Sequence, residues 1–229
     1  MKEKLVVLSG AGISAESGVK TFRDSDGLWE DHRVEDVASP EGFERNPQLV
    51  LNFYNQRRKQ LLEVKPNRAH EILAELENDF DVTIITQNVD DLHERAGSTK
   101  VLHLHGELKK ARPVDDDSEI ISWEIDLNLG DCTDNGIQLR PHIVWFGEMV
   151  TEMENAVKIV EEADLLLIIG TSMNVYPAAG LIHNVSSNCE IFVIDPKLPA
   201  QFKANSNCFQ TTATEGMELL KKQLLARRI

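Results

Sequence analysis

Residues 5–15 read LVVLSGAGISA: an apolar run from Leu5 to Leu8, then Ser9, then Gly10 and Gly12 in a G-x-G-x-x-A pattern that closes at Ala15. Apolar residues at every position, without polar alternation, are what a strand buried on both faces requires, as in a parallel sheet covered by helices on each side. A glycine-rich turn directly after such a strand is the setting in which this pattern binds a pyrophosphate. Glycines permit the tight turn and a close backbone approach, and the N–H groups at a helix start face the phosphates. The same residues also serve as a bare strand-to-helix turn, so the pattern alone leaves the ligand open. A dehydrogenase would add an acidic residue at the end of a second strand about 20 residues on, to hold the ribose. Here residues 21–36 read TFRDSDGLWEDHRVED, charged and irregular, which argues against hydride transfer.

Working outward, further strand candidates are residues 82–86, 101–105, 165–169, 190–194 and 208–212, most of them apolar on both alternating faces. Helical periodicity falls between several of them, over residues 67–77 (Ala69, Ile72, Leu73, Leu76), 152–163 and 215–225. Strands alternating with helices predict an α/β fold, a Rossmann-type doubly wound parallel sheet. Residues 24–66 and 107–145 break the alternation and are too long for ordinary connections. They predict an inserted smaller, mainly helical domain, so that residues 1–23, 67–106 and 146–229 form the large domain. In the first segment Ser39-Pro40 and Asn46-Pro47 each place a capping side chain before a proline suited to the first helical position. The second, DDDSEIISWEIDLNLGD, is acidic and has hairpin or loop character.

The 229 residues carry 24 Lys and Arg against 38 Asp and Glu, a net charge of −14, which disfavours nucleic acid and anionic membrane as partners. No apolar run approaches the roughly 20 residues of a spanning helix. The start MKEKLVVLSG lacks an export-length hydrophobic region, and Cys132, Cys189 and Cys208 are too few and scattered for a disulfide framework. A cytoplasmic protein is expected.

Three more motifs could carry chemistry. Residues 86–93, TQNVDDLH, sit at the carboxyl end of a strand, where open α/β sheets bind ligands; they also read as an Asx-rich cap for the next helix. Residues 101–107, VLHLHGE, place His103 and His105 on one face by the two-residue period. A metal pair is conceivable there and a structural histidine is the blander reading, while a His before a Gly at a strand end suits a general base. Residues 168–172, IIGTS, end another strand in a small hydroxyl-rich turn fit for ribose or phosphate, or for an ordinary loop.

Taken in order, GAGISAESGVKTFRDSDGLW, TQNVDDLH, LHLHGEL, PHIVWFGE and GTSMNVYPAAG resemble the sirtuin family of NAD-dependent protein-lysine deacylases, over nearly the whole chain. The resemblance implies a Rossmann-type domain, an inserted small domain and acyl-lysine bound between them. It implies His105 as catalytic base, with Gln87, Asn88, Val89 and Asp90 holding the nicotinamide and its ribose. Further NAD contacts implied are Gly10, Ala11, Gly12, Ile13, Ser14, Thr21, Phe22, Arg23, Trp29, Gly170, Thr171 and Ser172, with Ala213 by the adenine. Val144, Phe146, Gly147 and Glu148 on one side, and Met173, Asn174 and Val175 on the other, are implied to sandwich the acylated segment of a protein partner as an added strand, a mode in which backbone bonds carry affinity. In the family's reaction the acyl oxygen displaces nicotinamide at the ribose C1′, and the products are lysine, nicotinamide and acyl-ADP-ribose. Two other readings share these residues: an NAD- or ADP-ribose-binding module without catalysis, which intact His105, Asn88 and Asp90 oppose, and transfer of ADP-ribose to protein.

Val50, Phe53, Tyr54 and Leu61 form one helical stripe, and Arg57 falls within it, whereas Arg58 and Lys59 read as solvated charges. By itself Arg57 reads as snorkelling or paired with an acidic residue. Tyr54 and Arg57, with Ala38 upstream, resemble the subgroup that accepts negatively charged acyl chains, so succinyl and malonyl are expected beside acetyl. A guanidinium takes a carboxylate bidentately, a phenol adds a donor, and Ala38 leaves room. Most family members hold a structural zinc with two Cys-x-x-Cys pairs. Between Lys109 and Leu139 this chain has Cys132 alone, so no structural zinc is expected, and packing around Ile120, Ile121, Trp123 and Leu127 is expected to hold the lobe instead.

Overall fold

The computed structural model describes residues 2–20, 32–198, 202 and 207–227, and the backbone of 28–29. Six parallel strands form the main sheet: β1 (Lys4–Ser9), β4 (Asp81–Thr86), β5 (Val101–His103), β9 (Leu165–Ile169), β10 (Glu190–Ile194) and β11 (Cys208–Phe209), in the spatial order β11-β10-β9-β1-β4-β5. Counting only these strands in sequence, that is the 3-2-1-4-5-6 order of a doubly wound sheet, and the winding reverses between β1 and β9.

The unbroken apolar runs are explained by burial on two sides. Leu5 and Val7 of β1, with Leu165, Leu167 and Ile169 of β9, pack under α4 (Arg68–Leu76) and α7 (Ala213–Ala226), against Ile72, Leu73, Met217 and Leu220. Their alternates Val6, Leu8, Leu166 and Ile168 pack on the opposite face with Ala156 and Val160 of α6 (Met153–Glu161) and with Ala178 and Leu181 of a 3₁₀ turn. Asn67 caps α4: its side chain accepts from the Ala69 N–H, while its own N–H donates to His70 Nδ1.

The glycine turn after β1 leads into a 3₁₀ helix, Ala11–Ser17, that ends at Gly18. Here the structure departs from the expected phosphate-facing helix start. The N–H groups of Gly10 and Gly12 donate to the carbonyls of Ile169 and Gly170, and that of Ile13 to Gly10. The glycines serve contact between the two turns. A Cβ on Gly12 would lie 2.7 Å from the Gly170 Cα, and one on Gly170, whose φ is +64°, would lie 2.3 Å from the Ile13 nitrogen.

Beyond the sheet's carboxyl edge lie β2 (Leu28–Trp29) paired with β3 (His32–Arg33), then α1 (Val34–Val37), α2 (Pro40–Arg45) and α3 (Pro47–Glu63). Ser39 and Asn46 cap α2 and α3 as their Pro-x contexts predict, accepting from the N–H groups of Gly42 and Leu49. A second, antiparallel sheet joins them, with β6 (Gly106–Pro113) between β7 (Ile121–Ser122) and β8 (Leu139–Ile143). This sheet went unread in sequence. The expected strand over 101–105 stops at His103, and at Gly106 (φ +78°) the chain swings into β6, so His103 and His105 do not share one continuous strand. A Cβ at Gly106 would fall 2.1 Å from the His142 carbonyl oxygen, so a side chain there would block the crossing. The short α5 (Leu92–Arg95) follows β4.

Two expectations about this region are corrected. Ile120 and Ile121 are exposed; the packing is made by Leu51, Ala111, Leu127 and Leu139 with Phe43 and Trp123. Arg58 is not solvated but 1% exposed, donating to the Leu108 carbonyl and to Asn55 Oδ1, because both sides of α3 are covered. Lys59 is exposed and pairs with Asp126. Asn55 in turn bridges to the loop before β8, donating to the Leu127 carbonyl at 3.0 Å and accepting its N–H at 2.9 Å. The Gln138 amide gathers the same loop, accepting from Gly130 N–H and donating to the carbonyls of Asn128, Asp131 and Leu139.

Candidate active site

One cleft opens where the carboxyl ends of β1 and β9 meet the second sheet and α3. Of the dinucleotide set, Gly10, Ala11 and Gly12 line it from one turn, and Gly170, Thr171 and Ser172 from the other. Gln87, Asn88, Val89 and Asp90 line it from the end of β4, with His105 from the bend after β5. Of the substrate set, Ala38, Tyr54, Arg57, Val144, Phe146, Gly147, Glu148 and Val175 line the same cleft. Ile13 and Ser14 are fully buried behind its wall, Met173 is buried in a left-handed conformation (φ 56°), and Asn174 is exposed; none of them is in the lining. Ala213 starts α7 inside the core beside Ile194. Thr21, Phe22, Arg23 and the Trp29 side chain lie outside the described residues. Sequence reasoning gave no contact role to Lys20, Gln60, Leu61, Leu108, Ile143 and Tyr176, which also line the cleft: Lys20, Leu108, Ile143 and Tyr176 lie inside the quoted motifs and Leu61 in the helical stripe, while Gln60 carries no motif.

The polar floor is prearranged. Ser14 Oγ donates to Asp90 Oδ2 at 3.0 Å and accepts from Asn88 Nδ2 at 3.2 Å, while Asp90 Oδ1 takes the Leu92 N–H in an Asx turn just before α5. Gln87 Nε2 donates to Thr171 Oγ1 at 3.1 Å, tying the β4 end to the β9 turn. Burial pushes the Asp90 carboxyl up, against the pull of the Leu92 N–H and the Ser14 hydroxyl.

The two neighbouring histidines are opposites. Both ring nitrogens of His103 face acceptors: Nδ1 meets the Asn88 carbonyl at 3.1 Å and Nε2 meets Glu94 Oε1 at 2.7 Å. Burial works against its charge, but Glu94, with Glu107 and the Asn88 carbonyl, outweighs it and the pKa is raised, which favours the protonated ring that two acceptors call for. His105 Nδ1 lies 3.0 Å from the Gln87 carbonyl, which can only accept, so Nδ1 carries the proton and Nε2 is left with a lone pair. Burial lowers its pKa against the smaller pull of that carbonyl, so the ring is neutral at pH 7. With both ring nitrogens committed, His103 offers no lone pair to an ion beside His105. Among the described residues no three His, Cys, Asp or Glu side chains are grouped to hold an ion.

Ala38, Tyr54 and Arg57 line the cleft together with Trp145, whose indole N–H meets the Tyr54 hydroxyl. Tyr54 is wholly buried, which raises its pKa well above the ordinary phenol value despite the Trp145 hydrogen bond, so it keeps its proton.

A model of the Sir2 family matches residues 10–177. The chain belongs to the Sir2 family. An NAD-dependent protein deacylase of Bacteroides thetaiotaomicron is 56% identical over 230 residues, spanning 97% of this chain and 98% of its own length. The crystal structure of a Sir2 homologue–NAD complex superposes with a TM-score of 0.87 at 38% identity, covering 99% of this chain and 91% of the other. A Sir2–p53 peptide–NAD+ complex does so with a TM-score of 0.80 at 27% identity, over 98% and 95%. The donor set suits that cofactor: a dinucleotide presents an amide, hydroxyls and phosphates, and the cleft's amides, hydroxyls and buried carboxylate converge where this fold places dinucleotides.

Proposed function

We propose that this Sir2-family chain removes acyl groups from lysine side chains of proteins with NAD as co-substrate, and that acetyl, succinyl and malonyl groups are all accepted. The observation that carries the reading is His105, a buried neutral imidazole with a bare Nε2, in one cleft with the Gln87–Asp90 segment on one side and Ala38, Tyr54 and Arg57 on the other. Bound NAD supplies an electrophilic ribose carbon and nicotinamide as its leaving group. Asp90 accepts from the nicotinamide amide, Asn88 orients the ribose hydroxyls, and His105 Nε2 takes a hydroxyl proton, with Gln87 holding the ring through Nδ1. Positioned base catalysis of this kind contributes ~10²- to 10⁴-fold.

The acylated segment lies between residues 144–148 and 173–175. The N–H groups of Val144, Trp145, Phe146 and Glu148 already have acceptors within the protein, so a substrate backbone meets the carbonyls of that stretch and the Gly147 N–H. The division into a large domain (1–23, 67–106, 146–229) and an inserted one (24–66, 107–145) belongs to this reading, with the cleft between them. So does a cytoplasmic location, which fits three free cysteines and the absence, among the described residues, of any helix long and apolar enough to cross a membrane. Arg57→Met tests the acyl assignment: on matched succinyl- and acetyl-lysine peptides it is expected to cut desuccinylation far more than deacetylation. Equal losses on both would remove it.

A further inference from the structure

We propose that Trp145 is a specificity-determining positioning residue, whose indole N–H sets the Tyr54 hydroxyl at the acyl end of the cleft while Arg140 and Glu148 hold the indole still. The inference rests on the carboxylate-acyl reading above. An indole has one donor and no acceptor, and that donor, Nε1–H, meets Tyr54 Oη at 3.0 Å in a buried setting. Filling one side of the phenol oxygen restricts where the Tyr54 proton can point. A succinyl or malonyl carboxylate presents acceptors only, so it depends on a donor aimed at it; the methyl of an acetyl group does not.

The indole itself is clamped on several sides. The Arg140 guanidinium carbon stacks 3.3 Å from the Trp145 ring centre, and Phe43 packs at 5.3 Å. Arg140, 4% exposed, grips Glu148 with both terminal nitrogens at 2.5 and 3.1 Å and donates to the Ile143 carbonyl. Glu148 Oε2 then takes the Trp145 backbone N–H at 2.7 Å. The flanking residues carry the same stretch to both working ends of the cleft: Val144 N–H bonds to the His105 carbonyl and Phe146 N–H to the Ala38 carbonyl. A planar bidentate cation stacked on an aromatic ring is a rigid support, which a flexible ammonium would not supply.

The test is a double-mutant cycle on the full chain with Trp145→Phe, Tyr54→Phe and the pair, read as kcat and KM on one peptide carrying succinyl- or acetyl-lysine. Trp145→Phe keeps an aromatic ring in place and deletes the donor, at the cost of some buried volume beside Arg140 and Phe43. The ratio of desuccinylation to deacetylation is expected to fall on the order of ten-fold. The loss should fall in KM for the succinyl peptide, with KM for NAD unmoved. The double variant should be no worse than Tyr54→Phe, since coupled neighbours are not additive. Glu148→Gln, which leaves the indole and loosens its clamp, should move the ratio the same way by less, and guards against a Trp145 variant that fails to fold. An unchanged ratio, or additive losses, overturns the inference alone. A wild-type enzyme that leaves succinyl-lysine untouched overturns the acyl reading and the inference with it.

Discussion

His103 and His105 lie two residues apart and have their pKa values shifted in opposite directions, and the difference is set by what each ring nitrogen faces. With Nδ1 committed to the Gln87 carbonyl and the ring buried, His105 loses its activity as a base only when Nε2 is protonated, at a pKa lowered from 6.5. The acidic limb of kcat/KM is therefore expected to have its midpoint below pH 6.5, and a midpoint above 7 would contradict the assignment. Gly170→Ala is the corresponding test of the turns. Its methyl would meet the Ile13 nitrogen at 2.3 Å in a left-handed conformation, so a loss of ~1–3 kcal/mol in denaturant unfolding is expected, with weaker NAD binding by calorimetry. At this scale sequence was informative about which residues gather and less so about why. The glycine pattern marks the right turn, yet its N–H groups bond across to β9. Arg58 was misread because one helix's periodicity does not show that a second sheet covers its other side.

Among elements, α3 and the antiparallel sheet depend on Asn55. Its carboxamide satisfies both backbone groups of buried Leu127 and takes a third bond from Arg58, so Asn55→Ala leaves three buried partners short. A cost of ~1–3 kcal/mol in urea unfolding is expected; an unchanged midpoint would show the loop is held elsewhere. The parallel strands were legible because burial on both faces writes an unbroken apolar run. β6 was not: GELKKARP interrupts its apolar positions with Lys109, Lys110 and Arg112, which are paired with Glu124 and Asp91, with Glu107, and with Asp117 and Glu148 respectively. The Lys109 and Arg112 pairs with Asp91, Glu124 and Glu148 come from distant parts of the chain, and none of these pairs leaves a periodic trace. The lobe's loop is gathered by Asn55 and Gln138 and has Cys132 as its one cysteine, so metal analysis of purified protein is expected to find no stoichiometric zinc, and one zinc per chain would overturn that.

For the whole molecule, acid is the sensitive direction. His70 and His142 are pulled down to about 4, chiefly by burial, and burial takes His93 well below its usual value. Their folded pKa values lie under the unfolded 6.5, so the unfolded chain takes up protons that the folded chain refuses, and stability falls as pH drops below 6.5. His103, shifted upward, acts oppositely: its contribution is full below 6.5 and is lost as pH rises through its folded value. The depressed group is the more numerous, so the denaturant midpoint is expected to drop between pH 6.5 and 4, by up to ~1.4 kcal/mol per pH unit for each net proton. A flat profile would show that these rings are hydrated. The doubly wound order, the reversal between β1 and β9 and the cleft above it follow from strand and turn signals spaced along the chain, whereas the cleft's far wall required the unread sheet.

The most direct measurement is a mass balance on a reaction of the full chain with NAD and an acyl-lysine peptide, followed by mass spectrometry. Nicotinamide, free-lysine peptide and acyl-ADP-ribose are predicted in equal amounts from the wild type, and His105→Ala is predicted to bind NAD but to give no acyl-ADP-ribose. Deacylation without NAD, or nicotinamide released with the acyl group still on the peptide, would contradict the account.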